Sequence, residues 1–463
     1  MFDVKSPYSI IAFAKKLKNK SLREACGNAI ESDEYKGKGN FGQLLEKYYF
    51  GYEPNSRSEP DFAEAGLELK TSPLKTLKNG TFRSKERLVL NIINYLDVHK
   101  ESFNESSFWK KNAHLLLIFY LHDKSVNILD FVIKLVEGWQ YPPEDLKVIQ
   151  HDWQIIQQKI KNGKAHELSE GDTFYLGACT KGATAQKSYR KQPFSKQKAK
   201  QRAYSLKQGY VNHIIATISK GEKGIYGKII STPDLLDADA TISDIALRKF
   251  QSFLGLEAHQ IEQKLGLSVG KKSKSHLANL TKAILGVELD KKIEEFEKAD
   301  IQVKTIRIKN NDLPKEHISF PAFNFMQLSK VTWEESSLRQ ICEQKFFFVF
   351  YQIKEKKLFL RKVRFWNMPY LDIQEAKKVW LKTQQLIQEG HIVKSLSPNG
   401  IRRTNFPKPT ENRVCHVRPH ARNKYDTFPL PTNDKLTEVS NYMKHCFWLN
   451  ASYVRDEILL KDT

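Results

Sequence analysis

Apolar and polar residues alternate along this chain with two periods. In "GQLLEKYYF", from Gly42, Leu44, Leu45, Tyr48 and Tyr49 fall one turn apart, the spacing of an amphipathic helix. In "GLELKT", from Gly66, Leu67 and Leu69 alternate with Glu68 and Lys70, as on a strand with one face turned to a core. "HLLLIFYLHD" and "KFFFVFYQIK" are continuous apolar runs that read as buried central strands. The segments around Trp153 and Trp380 have helical spacing, and each stops at a glycine, Gly163 or Gly390. The pattern predicts an α/β protein, with a mixed sheet flanked by helices.

The same pattern is written twice. "DWQIIQQKIKNG" from Asp152 pairs with "VWLKTQQLIQEG" from Val379, and "KQRAYSLKQGYV" from Lys200 with "MKHCFWLNASYV" from Met443. "LLEKYYFG" at Leu44 pairs with "NLTKAILG" at Asn279, and "DFAEAGLELKT" at Asp61 with "EFEKADIQVKT" at Glu295. Four matches in one order and at similar separation imply a duplicated domain. The expected division is 1–225, a linker at 226–239 rich in turn-forming residues, and 240–463.

The first copy carries a constellation that the second has lost. Glu68 and Lys70 share a strand face, and a reversal at Gly66 would return Asp61 to Glu68's side. Two close carboxylates repel unless a cation lies between them, and oxygen ligands favour a hard ion such as magnesium. A lysine beside them can steady charge growing on a phosphate, so the set suits phosphodiester hydrolysis. Glu46, on the preceding helix, can add a third carboxylate. In the second copy Asp61 becomes Glu295, Glu68 becomes Gln302 and Glu46 becomes Thr281, while Lys304 keeps the place of Lys70. Apolar partners persist (Phe62 and Phe296, Leu67 and Ile301, Leu69 and Val303). One copy is expected to cut and the other to bind.

Charge strengthens that expectation. A folded chain of 463 residues with net charge +22 faces a polyanion, most commonly nucleic acid. No apolar run is long enough to span a bilayer, which argues against a membrane protein. The five scattered cysteines match neither a zinc site nor a disulfide framework and suit reduced thiols in a cytoplasm. The run "KSYRKQPFSKQKAKQR", from Lys187 to Arg202, adds basic groups suited to phosphate contacts. His166, beside Glu167, lacks the rest of an acid–base site and reads as structural.

The stretches "KGNFGQLLEKYYFG", "PDFAEAGLELKTSPL", "SKERLVLNIINY", "GKAHELSEG", "YLGACTKGATA" and "RAYSLKQGYV" resemble the MutH superfamily of DNA endonucleases. The likeness is greatest to the GATC-cleaving type II restriction enzymes with a duplicated MutH-like domain. It implies two restriction-endonuclease-like domains, with Asp61, Glu68 and Glu46 as magnesium ligands and Lys70 as catalytic lysine. It also implies a second active-site lysine at Lys111, with Lys110 as competitor. For DNA contact it implies the loop at Lys181 and Gly182, with Tyr204 and Lys207 close by, although Tyr204 also reads as a buried aromatic. Cys179 and Thr180 stand where the family has arginine and proline; the second copy keeps Arg418 and Pro419, with His420 at the lysine place. The implied activity is magnesium-dependent double-strand cleavage at GATC. The expected partners are DNA at two sites per chain, a DNA-dependent homodimer and a cognate methyltransferase. The alternatives are a partner-activated mismatch-repair nickase and a non-catalytic DNA binder.

Overall fold

The computed structural model describes residues 2–27, 40–54, 58–181, 188–219, 224–230, 240–267, 275–398 and 402–461. Gly182 and residues 231–239 of the expected linker lie outside them. The chain forms two compact units, Met1–Ile242 with Asp290–Asp300, and Ser243–Leu289 with Ile301–Thr463. The first unit thus runs past the expected end at 225, and an eleven-residue piece of the second sequence repeat, Asp290–Asp300, packs with it. No helix among the described residues is long and apolar enough to cross a membrane. All five cysteines are free thiols.

In the first unit, α1 (Pro7–Lys15) precedes α2 (Asn40–Leu44), which widens into a π turn over Leu45–Phe50. The strands β1 (Glu68–Thr76), β2 (Phe82–Ser84) and β3 (Leu88–Ile92) follow, then α3 (Ser107–Asn112). Next come β4 (His114–Leu121), β5 (Ile133–Gln140) and the long α4 (Pro143–Lys161). The unit continues with β6 (Leu176–Thr180), β7 (Tyr189–Gln192), β8 (Ser195–Lys200), β9 (Arg202–Leu206) and α5 (Gln208–Ser219). One sheet has the order β2-β1-β4-β5, a second β3-β9-β6, and β7–β8 is a separate hairpin. β1 runs parallel to β4, from Glu68 opposite Leu115 to Leu74 opposite Leu121, and β5 is antiparallel to β4. The leucine-rich β4 lies in the middle of its sheet and buries Leu115 to Phe119 completely or nearly so, as its unbroken apolar run predicts.

The second unit repeats this plan. It contains α6 (His276–Ile284), while α7 (Glu294–Lys298) belongs to the first unit. Its sheets are built from β10 (Gln302–Ile308), β11 (Ile318–Ala322), β12 (Lys345–Lys354) and β13 (Lys357–Asn367). The helices α8 (Ser337–Cys342) and α9 (Tyr370–Gln388) and the strands β14 (Cys415–Pro419) and β15 (His445–Leu449) complete it. The orders are β10-β12-β13 and β11-β15-β14, with β10 parallel to β12 from Gln302 opposite Phe346.

Polar struts repeat with the sheets. The Gln157 amide donates to the carbonyls of Val98 and Glu101, and the Gln384 amide to those of Leu328 and Val331. The hydroxyl of Tyr210 donates to Asp145 at 2.9 Å, and that of Tyr453 to Asp372 at 2.7 Å. Gly163 and Gly390 end the long helices at φ +69° and +67°, where a Cβ would meet a carbonyl oxygen at 2.7 or 2.5 Å. Both reasons exclude a side chain there.

The inserted segment Asp290–Asp300 is held to the first unit by buried polar contacts. Lys298 Nζ lies 2.9 Å from Asp145 and 2.8 Å from Glu294. Asp300 accepts the Gly209 N–H at 3.0 Å, and a Cβ on Gly209 would lie 1.9 Å from the Glu297 carbonyl. In the second unit the carboxylate equivalent to Asp145, Asp372, pairs instead with Arg413.

Candidate active site

The tight return at the head of β1 follows from local sequence. Gly66 adopts φ +59° and closes the turn Ala63–Ala65, so that Phe62 and Leu67 exchange backbone hydrogen bonds. Two further bonds lock the acidic pair in place. Glu68 Oε2 accepts the Asp61 N–H at 3.0 Å, and Asp61 Oδ2 accepts the Leu69 N–H at 3.0 Å. Each carboxylate thus fixes the backbone that carries the other.

Glu68 is 1% exposed, because β1 lies inside its sheet. Its Oε1 takes two ammonium groups, Lys70 Nζ at 2.5 Å and Lys111 Nζ at 3.7 Å. Lys111 comes from the last turn of α3, which ends as the chain enters β4, the strand parallel to β1. Lys110, one residue earlier, is exposed and pairs outward with Glu105 at 2.8 Å. Of the two competing lysines, Lys111 is the one that the fold brings to Glu68.

Glu46 sits in the π turn of α2, a local widening often found at functional sites. Gly42, one turn earlier, leaves room beside it: a Cβ there would stand 3.4 Å from Thr71 Oγ1 and 4.0 Å from Glu46 Oε1. Burial, then the charges of Asp61 and Glu68, push the Glu46 carboxyl up to about 7. Burial also raises the Glu68 carboxyl, against the lowering effect of Lys70. Three carboxylates and two ammonium groups are therefore electrostatically linked in one half-buried cluster.

Among the described residues no three His, Cys, Asp or Glu already stand together as a metal-ligand set. The donor chemistry nevertheless fits a hard divalent ion. The carboxylates offer oxygen only, and the raised Glu46 registers a repulsion that such an ion would relieve.

Tyr52 is a neighbour that the sequence pattern does not single out. Among the described residues its buried hydroxyl has no hydrogen-bond partner, and the charges of Asp61, Glu46 and Glu68 raise its pKa beyond the effect of burial. Its ring packs edge-on against Phe62 at 5.4 Å. The one signal in the sequence is its place directly after the helix-ending Gly51.

The expected DNA-contact residues divide into exposed and buried ones. Lys181 is exposed just beyond β6. Arg418, Pro419 and His420 are exposed at the end of β14, and the Arg418 guanidinium stacks 5.3 Å from the Trp448 ring. The ladders give their correspondence: Leu176 faces Leu206 as Cys415 faces Leu449, which places Cys179 with Arg418 and Lys181 with His420. Tyr204 and Lys207 must be removed from the DNA-contact set. Tyr204 is 1% exposed and packs its ring 4.9 Å from Phe108. Lys207 is 5% exposed, donates to the Thr173 carbonyl at 2.5 Å, and is pushed down to about 8 by burial. The basic run forms the β7–β8 hairpin, which exposes Arg190, Lys191, Lys196 and Lys198 and holds Phe194 at its tip, 72% exposed. Gln192 anchors the hairpin through the Ala165 N–H and the His166 ring.

The family description of the DNA mismatch repair enzyme MutH matches residues 50–152 and again 285–384, one segment from each sequence repeat. Over 96% of both chains the protein is 35% identical to the type II restriction enzyme Sau3AI of Staphylococcus aureus. The chain belongs to the MutH family of DNA endonucleases, within its type II restriction enzymes. The mismatch repair protein MutH of Shewanella amazonensis is 28% identical over 32% of this chain and 64% of its own length. That of Vibrio cholerae is 25% identical over 32% of this chain and 65% of its own. The restriction enzyme thus matches along the whole chain and the repair proteins along one part, as a duplicated MutH-like architecture requires.

Proposed function

We propose that the protein is a magnesium-dependent restriction endonuclease that cuts double-stranded DNA at GATC in the cytoplasm. The first unit cuts, the second binds another DNA site, and two chains dimerise on DNA. The observation that carries this reading is the buried Glu68, held between Lys70 and Lys111 and locked to Asp61. The duplicate has Gln302 in place of Glu68 and Ile341 in place of Lys111. A relic kept for binding alone would have no reason to maintain two ammonium groups on a fully buried carboxylate.

Asp61, Glu68 and Glu46 would hold the magnesium ion. When bound it supplies Lewis-acid stabilisation of the phosphate and offsets the repulsion among the three carboxylates. The protein's own groups do the rest. Lys70 and Lys111 place positive charge where the five-coordinate phosphorus gains negative charge. The paired backbone bonds of Asp61 and Glu68 fix that placement before DNA arrives. Lys181 in the first unit and Arg418 in the second are exposed for base or phosphate contact, lysine or arginine to guanine being the commonest major-groove pairing. A self-sufficient cutter of this kind requires a partner methyltransferase to protect the host's own sites.

The test is incubation of purified protein with unmethylated plasmid, with and without magnesium, beside Glu68→Ala, followed by sequencing of the ends. Magnesium-dependent ends at GATC, absent with the variant, are expected. Nicking of one strand only, and only on addition of repair proteins, would establish the nickase instead. Dimerisation on two sites predicts faster cutting of two-site than of one-site plasmids.

A further inference from the structure

The second unit retains a lysine where the first unit has its catalytic one, but not the groups that surround it. Gln302 and Lys304 occupy β10 in the register that Glu68 and Lys70 occupy in β1, since Gln302 faces Phe346 as Glu68 faces Leu115. Thr281 replaces Glu46 on α6, and its hydroxyl is turned back onto the Leu277 carbonyl at 2.8 Å. Ile341 stands in the last turn of α8, where the first unit has Lys111 in α3. Glu295, the residue aligned with Asp61, accepts the N–H groups of Ile229 and Ile230 at 3.0–3.1 Å within the first unit. None of the carboxylates survives in its place.

Lys304 is left half-buried, and among the described residues it has no hydrogen-bond or ion-pair partner. Burial alone lowers its pKa, with no contribution from any charged neighbour. A half-buried ammonium without a counter-charge is costly to the free protein, and methionine or leucine would fill the space better. A phosphodiester would supply the missing anion. Without carboxylates the cleft holds no metal ion, so a phosphate there is gripped and not cut.

We propose that Lys304 is a phosphate anchor, so that the relic cleft of the second unit holds a DNA backbone phosphate at the position matching the scissile one in the first. The inference rests on the reading that the second unit binds its own DNA site. It adds that the contact runs through the former catalytic lysine, with His420 just beyond β14 standing to it in topology as Lys181 stands to Lys70.

The test titrates a short GATC duplex into the full chain in EDTA at several salt concentrations. Wild type is compared with Lys304→Met, Lys304→Gln, Lys304→Arg and Lys70→Met. Two duplexes per chain are expected for wild type. Loss of one phosphate contact lowers the slope of log affinity against log salt by about 1. Lys304→Met and Lys304→Gln should each do this to one binding event, with a loss of affinity of roughly tenfold and unfolding no earlier than wild type. Lys70→Met should do it to the other event, and Lys304→Arg should keep the wild-type slope. Two wild-type slopes with both neutral variants would overturn the anchor while leaving two-site binding intact. A wild-type stoichiometry of one duplex per chain would overturn both readings.

Discussion

Replacing Glu46 by glutamine should stabilise the metal-free protein and abolish its cutting. Glu46's carboxyl is raised from an ordinary value near 4.5 to about 7 by burial and by Asp61 and Glu68. Between those values the folded chain binds more protons than the unfolded one, so stability is lost as pH rises through the window. A displacement of one pH unit is worth about 1.4 kcal/mol, so an ionised Glu46 costs on the order of 3 kcal/mol at pH 8. The side chain keeps some solvent contact, which makes that figure an upper bound. Glu46→Gln has no charge to titrate, and the cost should vanish with it.

The assay is urea unfolding in EDTA at pH 5 and pH 8, wild type against Glu46→Gln. Wild type should lose about 1–3 kcal/mol more than the variant between the two pH values. Magnesium at pH 8 should recover most of that loss in wild type and little in the variant, because a bound cation stabilises only a state that can hold it. Identical pH dependence of the two proteins would refute the electrostatic account of the cleft. A variant that still cut DNA at full rate would remove Glu46 from the site.

Lys111→Met should lower the cleavage rate by about 100-fold or more, the scale of losing one transition-state charge, whereas Lys110→Met should stay within about threefold; single-turnover cleavage separates them. Tyr52→Phe removes a buried hydroxyl that lacks a partner among the described residues, so thermal unfolding should show equal or greater stability, by about 1 kcal/mol. A clear loss would mean that the hydroxyl has a partner after all. Gly209→Ala places a Cβ where the Glu297 carbonyl already lies, and should destabilise the first unit by about 1–3 kcal/mol.

Much of this was legible because duplication supplied an internal control. The four paired stretches became paired elements: α2 and α6, β1 and β10, α4 and α9, β9 and β15. Periodicity revealed β1 because a strand face alternates strictly, and it revealed the Gly66 reversal because few other residues tolerate that backbone. It did not reveal the burial of Glu68. A period of two assigns faces but cannot say that both faces of a central strand are covered. Lys207 and Tyr204 failed for a related reason. Both lie at or just beyond β9, the middle strand of its sheet, and a lysine in a basic chain looks exposed unless the carbonyl that receives it is known. Lys111 and Lys110 could not be told apart by spacing, since the choice depends on how α3 meets the parallel ladder.

The inserted segment Asp290–Asp300 was the least legible feature, and its sequence explains why. "EFEKADIQVKT" reads against "DFAEAGLELKT" as an eroded copy of a metal site, which accounts for its apolar positions but not for its charges. Those charges have partners of their own in the first unit. Glu295 receives two backbone N–H groups, Lys298 sits on the buried Asp145, and Asp300 receives the Gly209 N–H. The second repeat satisfies Asp372 with Arg413, from the run into β14, whereas the matching place in the first repeat is Phe174. With Phe174 at that place, Asp145 pairs with Lys298 from the inserted segment. Absence of an Asp61-like carboxylate from the second unit and completion of the first unit's core are therefore linked in one short stretch. Lys298→Met should consequently lower the thermal unfolding temperature of the first unit while leaving DNA affinity of the folded chain unchanged.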